Sequence, residues 1–256
     1  MTAPATRGPK PPSAAWIASV GRRRVPVTVA VLALLSSCGG QRVGTDLRGH
    51  MEEHFEAAFF METAVIEGNL RAANSQGYWM AHHWEPPGMP LSVQPHLVEL
   101  RYWGIRASEA LTLEEAAEAA GRTILACGSC HERTGGGPQY VDLEAPPDDR
   151  DVRDAMYRHV WSLDLMSEAL MMKSERAWSV ASETLLASLV SPRQVDATDK
   201  QVRDMDPYVK DLADLARRAR NEEEWLFRAN TYGGMLATCS GCHGVTGVEP
   251  FGPPGG

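Results

Sequence analysis

One five-residue pattern occurs twice in this chain and constrains its fold more than any other feature. The pattern is Cys-x-x-Cys-His, with Cys127, Cys130 and His131 in the first copy and Cys239, Cys242 and His243 in the second. A second pattern, Met-x-x-His, precedes each copy at a similar distance along the chain, as Met51 and His54 and as Met156 and His159. We therefore interpret the chain as a duplicated unit in which each half brings the same side chains together.

The sequence between these motifs has a helical pattern almost throughout. Alternating Val, Ile and Thr runs are nearly absent, whereas Ala, Leu, Glu, Arg and Met dominate, and apolar residues recur at three- and four-residue steps. The predicted helices cover Leu47–Leu70, Ala72–His83, His96–Ser108 and a segment opened by Thr112, then Val152–Met172, Glu175–Val190, Pro207–Arg218 and Glu222–His243. This predicts an all-α protein of two tandem four-helix-bundle-like domains, each with Cys-x-x-Cys-His at the end of its last helix.

Two helix starts are predicted from capping residues. Thr112, with Glu115 three residues later, has the pattern of a capping box at the start of the fourth helix. Asp206 is predicted as the N-cap of the seventh helix, because the Pro207 that follows it suits the first helical position. The helix that carries the first motif would thus begin at residue 113, and the seventh helix at Pro207.

The Cys-x-x-Cys-His motif has the chemistry of a covalent haem site. Cysteines three residues apart on a helix lie on one face, and each thiol can form a thioether with one of the two vinyl groups of haem. The histidine that follows lies on the same side and supplies an axial ligand to the iron. Two such motifs in a chain with only one other cysteine predict two haem c groups. The attaching residues are Cys127, Cys130, Cys239 and Cys242, and the proximal ligands are His131 and His243.

Zinc binding and thiol redox chemistry are weaker interpretations of the same cysteines. A zinc site built from both pairs would have to unite cysteines that lie far apart in the sequence, unlike a compact zinc ribbon. A redox pair favours a helix N-terminus, which lowers the thiol pKa. Each pair here is predicted at a helix C-terminus, where the helix dipole disfavours a thiolate. Haem attachment therefore remains the main hypothesis.

The position of the motifs resembles that in the class II cytochromes, the cytochrome c-prime and c-556 group, in which four antiparallel helices enclose a haem attached near the C-terminus. In class I cytochromes the motif lies near the domain start and a Met ligand follows, but only a short segment without Met or His follows His243. The resemblance covers the architecture of residues 47–131 and 152–243. It implies that a residue of the first helix controls the sixth iron position. That residue is Met in c-556-like members, and c-prime-like members leave the position open or guarded by an apolar group.

Met51 and His54 in the first half, and Met156 and His159 in the second, stand where that controlling residue is expected. Residues three apart share a helix face, so either member of a pair can point at the iron. The second half has no histidine besides His159 and the proximal His243, so a bis-His haem there requires His159. The first half offers further histidines at His50, His82, His83 and His96. Alternatively, the Met residues belong to the core and the histidines bond a propionate or a backbone carbonyl, so the choice between Met and His stays open.

The N-terminal segment has the pattern of a bacterial lipoprotein signal. Three arginines at 22–24 precede the apolar stretch Val25–Leu35, which is too short to span a bilayer but suits a signal peptide. It leads into Ser-Ser-Cys38-Gly-Gly, which resembles a lipobox whose cysteine is lipidated; an ordinary signal peptide with an incidental cysteine is the alternative. The predicted organisation is a signal at 1–37, a tether at 38–46, a first haem domain at 47–133, a linker at 134–150, a second haem domain at 151–245 and a flexible tail at 246–256.

Removal of the signal would leave a strongly acidic protein. Residues 1–37 contain five basic residues and no acidic one, so the mature chain would carry 20 basic and 33 acidic residues, a net charge of −13 against −8 for the full chain. Nucleic acid is not expected as a partner, because phosphate binding needs a basic surface. The expected partners are redox proteins with a basic docking face. The expected location is the periplasmic side of the bacterial cell envelope, with the lipid on Cys38 as membrane anchor.

Electron transfer is the function that these predictions favour. A haem iron with strong ligands on both sides cycles between ferric and ferrous states without substrate chemistry, so the protein would be a carrier and not an enzyme. The alternative is an NO- or CO-binding or sensing module built on a five-coordinate haem. A third hypothesis, a small dihaem peroxidase or reductase, has less support, because no acid–base constellation accompanies His54.

Overall fold

Eight α-helices make up most of the chain that the structure describes. The computed structural model describes residues 47–85, 89–138, 142–147, 152–189, 191 and 197–247. The helices are α1 (Leu47–Ile66), α2 (Leu70–His82), α3 (Gln94–Ser108), α4 (Leu113–Thr134), α5 (Val152–Met172), α6 (Glu175–Ala187), α7 (Asp199–Asn221) and α8 (Trp225–Thr246), with a 3-10 turn at Leu91–Val93. These ranges contain no strand, so the predicted all-α fold class is confirmed. The predicted signal at 1–37, the lipidation site Cys38 and the tether at 38–46 lie outside the described residues.

The helices of the two halves correspond one to one. Helices α1, α2 and α3 each start at the same sequence offset from α5, α6 and α7, whereas the offset between α4 and α8 is larger by two helical turns. The extra residues of the second half lie within α7, which has 23 residues against 15 in α3. Helices α4 and α8 are both 22 residues long. The difference in length between the halves is therefore accommodated by a longer helix and not by a larger loop.

The turn between the first two helices repeats in backbone detail. Gly68 has a φ of 72° and Lys173 a φ of 49°, both in the left-handed region. Each directly precedes an N-cap, Asn69 or Ser174, whose side chain accepts a hydrogen bond from the backbone N–H three residues later. The left-handed region favours glycine, and Lys173 adopts this less favourable conformation at the position of the second half that is equivalent to Gly68. The equivalence of the halves thus extends to individual backbone angles.

The predicted cap at Thr112 is confirmed. Its hydroxyl accepts a hydrogen bond from the backbone N–H of Glu115 at 3.2 Å, and α4 begins at the next residue. The Glu115 carboxylate accepts from the backbone N–H of Leu111 at 2.7 Å, one residue earlier than a capping box predicts. Helix α8 begins at Trp225, later than the predicted start at Glu222.

The predicted cap at Asp206 is wrong. Helix α7 begins at Asp199 instead of Pro207, because Thr198 and Gln201 form a capping box that satisfies the first free backbone donors. The turns before Asp206 are also held by packing, since Met205 is buried in the core. Pro207 therefore lies inside α7 and leaves one backbone hydrogen bond of that helix unmade.

Helices pack in chain order within each half. In the first half α1 packs on α2, α2 on α3 and α3 on α4, while α1 also contacts α4; α5 to α8 repeat this order. Small residues dominate the buried face of α4, and the larger side chains of the core include Met61, Met166 and Trp178. In the described part of the chain, no helix combines the length and apolar character needed to cross a membrane.

The two halves meet along α4 and α8, whose backbones approach closely. All the residues that the structure describes belong to one compact unit. A Cβ atom added to Gly121 would lie 2.3 Å from the carbonyl oxygen of Ala229, and one added to Gly233 would lie 2.6 Å from that of Ala117. Gly121 and Gly233 each lie six residues before the first cysteine of the motif on their own helix. Ala117 and Ala229 each lie ten residues before it. Equivalent residues of the two helices therefore make equivalent contacts, so the interface has pseudo-two-fold symmetry, like the isologous interface of a homodimer. The same contacts show that α4 runs antiparallel to α8.

Candidate haem and metal sites

Both Cys-x-x-Cys-His motifs occupy the same position on a helix. Cys127 is the fifteenth residue of α4, and Cys239 is the fifteenth of α8. Each helix ends at a glycine with a left-handed φ, and the backbone N–H of that glycine bonds the carbonyl oxygen of the motif histidine at 2.9 Å. Because a left-handed C-cap favours glycine, Gly135 and Gly247 determine where the helices stop. The two cysteines and the histidine of each motif thus share the last turns of one helix.

The four motif cysteines are free thiols in surroundings that keep them protonated. Burial raises the pKa of Cys127 and of Cys239 to about 12, and it also raises the pKa of Cys130 and Cys242. Within the described ranges, the one group of three or more metal-ligating side chains close enough to share an ion contains no cysteine. Thiolate redox chemistry and a four-cysteine zinc site are therefore disfavoured.

His131 borders a cavity of about 490 Å³ between the end of α4 and the turn from α5 to α6. Its Nδ1 is buried without a hydrogen-bond partner. Burial lowers the pKa of His131, while a hydrogen bond to the Met171 backbone opposes the shift, and the neutral imidazole is the form that ligates metals. Met171 and Met172 line this cavity from the second half of the chain. Sequence patterns within one half give no sign of them, because the contact depends on how the halves pack.

The structure brings the predicted distal His159 near the predicted proximal His243. Burial lowers the pKa of His159 to about 4, the hydrogen bond to the Ser188 backbone opposes this, and the charge of the nearby His243 adds to it. The Nε2 atom of His159 lies 3.0 Å from the carbonyl oxygen of Ser188, so this nitrogen carries the proton and Nδ1 keeps a lone pair. Met156, three residues earlier on α5, is half-buried. Both residues stay candidates for the sixth position of the second haem.

His54 has different surroundings, because it faces two other histidines. One ring nitrogen from each of His50, His54 and His83 lies within 4.8 Å of the other two, and together these residues form the three-histidine cluster. The His54 ring centroid is 4.3 Å from that of His50 and 5.3 Å from that of His83. Met51 is half-buried on the same helix. The convergence of the three rings requires α1 to pack on α2, which no local sequence pattern reveals.

A buried carboxyl group lies where the two halves meet. Glu62 Oε1 accepts hydrogen bonds from the Tyr232 hydroxyl at 2.7 Å and from the Ser167 hydroxyl at 3.1 Å, and the residue is only 8% exposed. Burial raises the pKa of Glu62 to about 7; the two hydrogen bonds lower it, and the Asp164 carboxylate raises it further. The charge of Glu62 also contributes to the raised pKa of Cys127, so this carboxyl lies near the first motif. No motif in the sequence singles it out.

The residues of both motifs fit covalently bound haem. Each presents two neutral thiols and one imidazole on the last turns of a helix, and in the first half the imidazole has a buried Nδ1 without a partner beside a cavity of cofactor size. The six motif residues would hold the two haems, with Met51, His54, Met156 and His159 as the candidates for the sixth positions. Comparison with known proteins finds no family model, no curated protein and no solved structure that matches the chain.

Proposed function

We propose that this protein is an exported, lipid-anchored dihaem c-type cytochrome that transfers electrons at the membrane surface. The observation that carries the proposal is the placement of the two motifs: Cys127 and Cys239 are the fifteenth residues of two helices of equal length in equivalent halves. Two unrelated thiol pairs would have no reason to share this position. A repeated cofactor site explains it.

The roles of the side chains follow from their chemistry. The thiols of Cys127 and Cys130, and of Cys239 and Cys242, would each form one thioether, which consumes all four free cysteines of the described helices. His131 and His243 would supply the proximal imidazoles. Haem c supplies one-electron cycling between ferric and ferrous iron. Burial lowers the pKa of His131 and of the candidate distal ligand His159, so the chain keeps these two imidazoles neutral.

The antiparallel crossing of α4 and α8 places the two motifs at opposite ends of the helix pair. Cys127 lies six residues beyond Gly121, and Cys239 lies ten residues beyond Ala229, which faces Gly121. Because the helices run in opposite directions, the two cysteines lie on opposite sides of the Gly121–Ala229 contact, and the six and ten residues add. At a rise of about 1.5 Å per residue, the first cysteines of the two motifs are about 24 Å apart along the helix pair. Each haem would therefore exchange electrons with a partner at its own end of the helix pair.

The charge of the mature chain supports a basic redox partner. Cleavage before Cys38 would leave 20 basic and 33 acidic residues, and opposite charge accelerates the encounter with a basic docking face. Lipid on Cys38 would hold the carrier at the periplasmic surface of a membrane.

Gas binding is a second function for the first haem, favoured by the position of His54. The ring of His54 contacts His50, His83 and Trp79. If His54 stays in this cluster and Met51 does not ligate, the first iron keeps an open position for NO or CO.

Haem stoichiometry and the response to CO test both functions. The chain, exported in a host that attaches haem c, is expected to carry two haems, and the double variant Cys127→Ala/Cys130→Ala is expected to carry one, by pyridine haemochrome assay and mass. Reduced bands of two low-spin haems that CO does not alter support the carrier, whereas a CO-responsive first haem supports gas binding. Replacing Met156 and His159 by Ala one at a time identifies the sixth ligand of the second haem, because only loss of that ligand is expected to change the spectrum of this haem. A wild-type chain that matures without covalent haem under these conditions refutes the proposal.

A further inference from the structure

The three-histidine cluster is built from two helices of the first half. His50 and His54 lie one turn apart on the same face of α1. His83 is the C-cap of α2, with extended backbone at φ −62° and ψ 137°, and the antiparallel packing of α2 on α1 brings its ring to theirs. Trp79 stacks on the His83 ring at 4.0 Å and meets the His54 ring edge-on at 5.6 Å, which holds both rings in place.

A carboxylate determines which nitrogen of His50 carries its proton. His50 Nε2 lies 2.8 Å from Glu85 Oε2, and Glu85 is also paired with Arg101 at 3.3 Å. An ionised carboxylate only accepts hydrogen bonds, so Nε2 of His50 is the donor and its Nδ1 keeps a lone pair. A carboxylate behind the remote nitrogen of an imidazole is the arrangement that orients histidine ligands in metal sites. The lone pair of His50 points into the cluster, where Nδ1 is 3.2 Å from His83 Nε2.

The spacing of the ring nitrogens suits a tetrahedral ion. Zinc–nitrogen bonds of about 2.0–2.1 Å place two ligand nitrogens about 3.3 Å apart at the corners of a tetrahedron. The His50–His83 separation of 3.2 Å already has this length. The largest separation within the cluster is at most 4.8 Å, so an ion would draw the most distant ring inward by no more than about 1.5 Å.

His54 lacks the hydrogen bond that a buried imidazole normally makes. Its Nε2 is buried without a partner, and the residue is 4% exposed. The ring therefore offers a lone pair in a place where water does not reach, and a bound cation would satisfy it.

We propose that His50, His54 and His83 bind one divalent transition-metal ion of the zinc class, separate from the haem irons. Glu53, whose Oε2 is 3.1 Å from His83 Nε2 and whose side chain is 58% exposed, marks the side from which the ion enters and would turn inward to supply the fourth ligand. Neutral imidazoles with one carboxylate are ligands that Zn²⁺ prefers. The site belongs to the first half alone, because Ala155 and Ser188 stand at the second-half positions equivalent to His50 and His83.

Zinc titration of the full, haem-loaded chain tests this site. After treatment with a chelator and removal of free metal, the wild-type protein is expected to bind one Zn²⁺ per chain by calorimetry and elemental analysis, and zinc is expected to raise its Tm. His83→Ala and His50→Ala are each expected to weaken binding at least tenfold. Glu85→Gln, which removes the charge behind His50, is expected to weaken it by roughly 10- to 100-fold.

His82→Ala is the matched control. His82 is the neighbour of His83 in the chain, but its ring is turned to the carbonyl oxygen of Tyr78 at 2.8 Å and lies outside the cluster. Its replacement is expected to leave zinc affinity and the zinc-dependent rise in Tm unchanged. Zinc binding that survives in His83→Ala, or that is lost equally in His82→Ala, overturns the proposal.

Haem content and absorption, measured on the same samples, separate this site from the cytochrome function. His83→Ala, which changes none of the candidate ligands of the haem iron, is expected to weaken zinc binding without altering the haem spectrum. If wild type binds no zinc and His54→Ala shifts the haem bands, the cluster is part of the haem site and the metal proposal fails. A chain that binds zinc but carries no haem contradicts only the cytochrome function.

Discussion

Replacing Glu62 with Gln should remove a pH dependence from the stability of the protein. The carboxyl is buried between the halves, and its Oε1 accepts hydrogen bonds from Tyr232 and Ser167. Burial raises the pKa of Glu62 in the folded state to about 7, from 4.5 in the exposed group. Gln has the same shape and keeps an oxygen for both hydroxyls, but it never ionises. The substitution therefore isolates the cost of charging this site.

The magnitude follows from the shift. Below pH 4.5 the carboxyl is neutral in both states, and the stability of the folded state is undiminished. As the pH rises through 4.5 to about 7, the unfolded chain releases its proton and the folded chain does not, so the free energy of unfolding falls. At about 1.36 kcal/mol per pKa unit the total loss is about 3 kcal/mol, of which about 2.5 kcal/mol falls between pH 5 and pH 8.

Urea denaturation of the haem-loaded protein at pH 5 and at pH 8 measures this loss. When the pH rises from 5 to 8, the free energy of unfolding of Glu62→Gln should increase by about 2–3 kcal/mol relative to that of wild type. Glu56→Gln, on the exposed face of the same helix, is the control and should show no such change. Parallel pH profiles for Glu62→Gln and wild type would refute the idea that the interface carboxyl is neutral in the folded protein.

Two further substitutions test the packing of α8 and of the second half. Gly233→Ala should cost about 1–3 kcal/mol in urea denaturation, because its Cβ would lie 2.6 Å from the Ala117 carbonyl oxygen. Gly244→Ala on the same helix, with no atom within 4 Å of the added Cβ, should be neutral or slightly stabilising; equal effects of the two would contradict the close crossing. Trp178→Phe should lower the free energy of unfolding by about 1–3 kcal/mol, since it leaves the buried Ala219 carbonyl oxygen without the indole N–H at 2.8 Å, and an unchanged Tm would count against that bond.

Helix content and several helix boundaries could be predicted from the sequence, because they depend on local patterns. The helix predicted at Val152–Met172 has those bounds in the structure, and one residue and its neighbour three positions on are enough to predict the cap at Thr112. The predicted start of α7 at Pro207 is wrong, because a proline after an acidic residue resembles a helix start. The capping box at Thr198 and the burial of Met205 decide otherwise.

The candidate site was predictable only where its residues lie close together in the chain. The spacing of Cys127, Cys130 and His131 follows from one helical turn, so their proximity needs no tertiary information. The three-histidine cluster joins residues 33 positions apart, and Glu62 meets Tyr232 across 170 positions. Such contacts depend on which helix faces pack together. The periodicity of a single segment does not contain that information.

Glu62 and Ser167 stand at equivalent positions of the two halves, and their side chains meet across the pseudo-two-fold interface. In a dimer of two identical subunits, the residue at this place would face its own copy. A pair of glutamates there could not both ionise when buried. One continuous polypeptide escapes this restriction, because each half can hold a different residue on its side of the axis. A fused chain can therefore keep a self-complementary interface while the surroundings of its two motifs evolve independently. The equivalent positions 83 and 188 already illustrate this, because the first half has a histidine there and the second half has Ser188, whose carbonyl oxygen bonds His159.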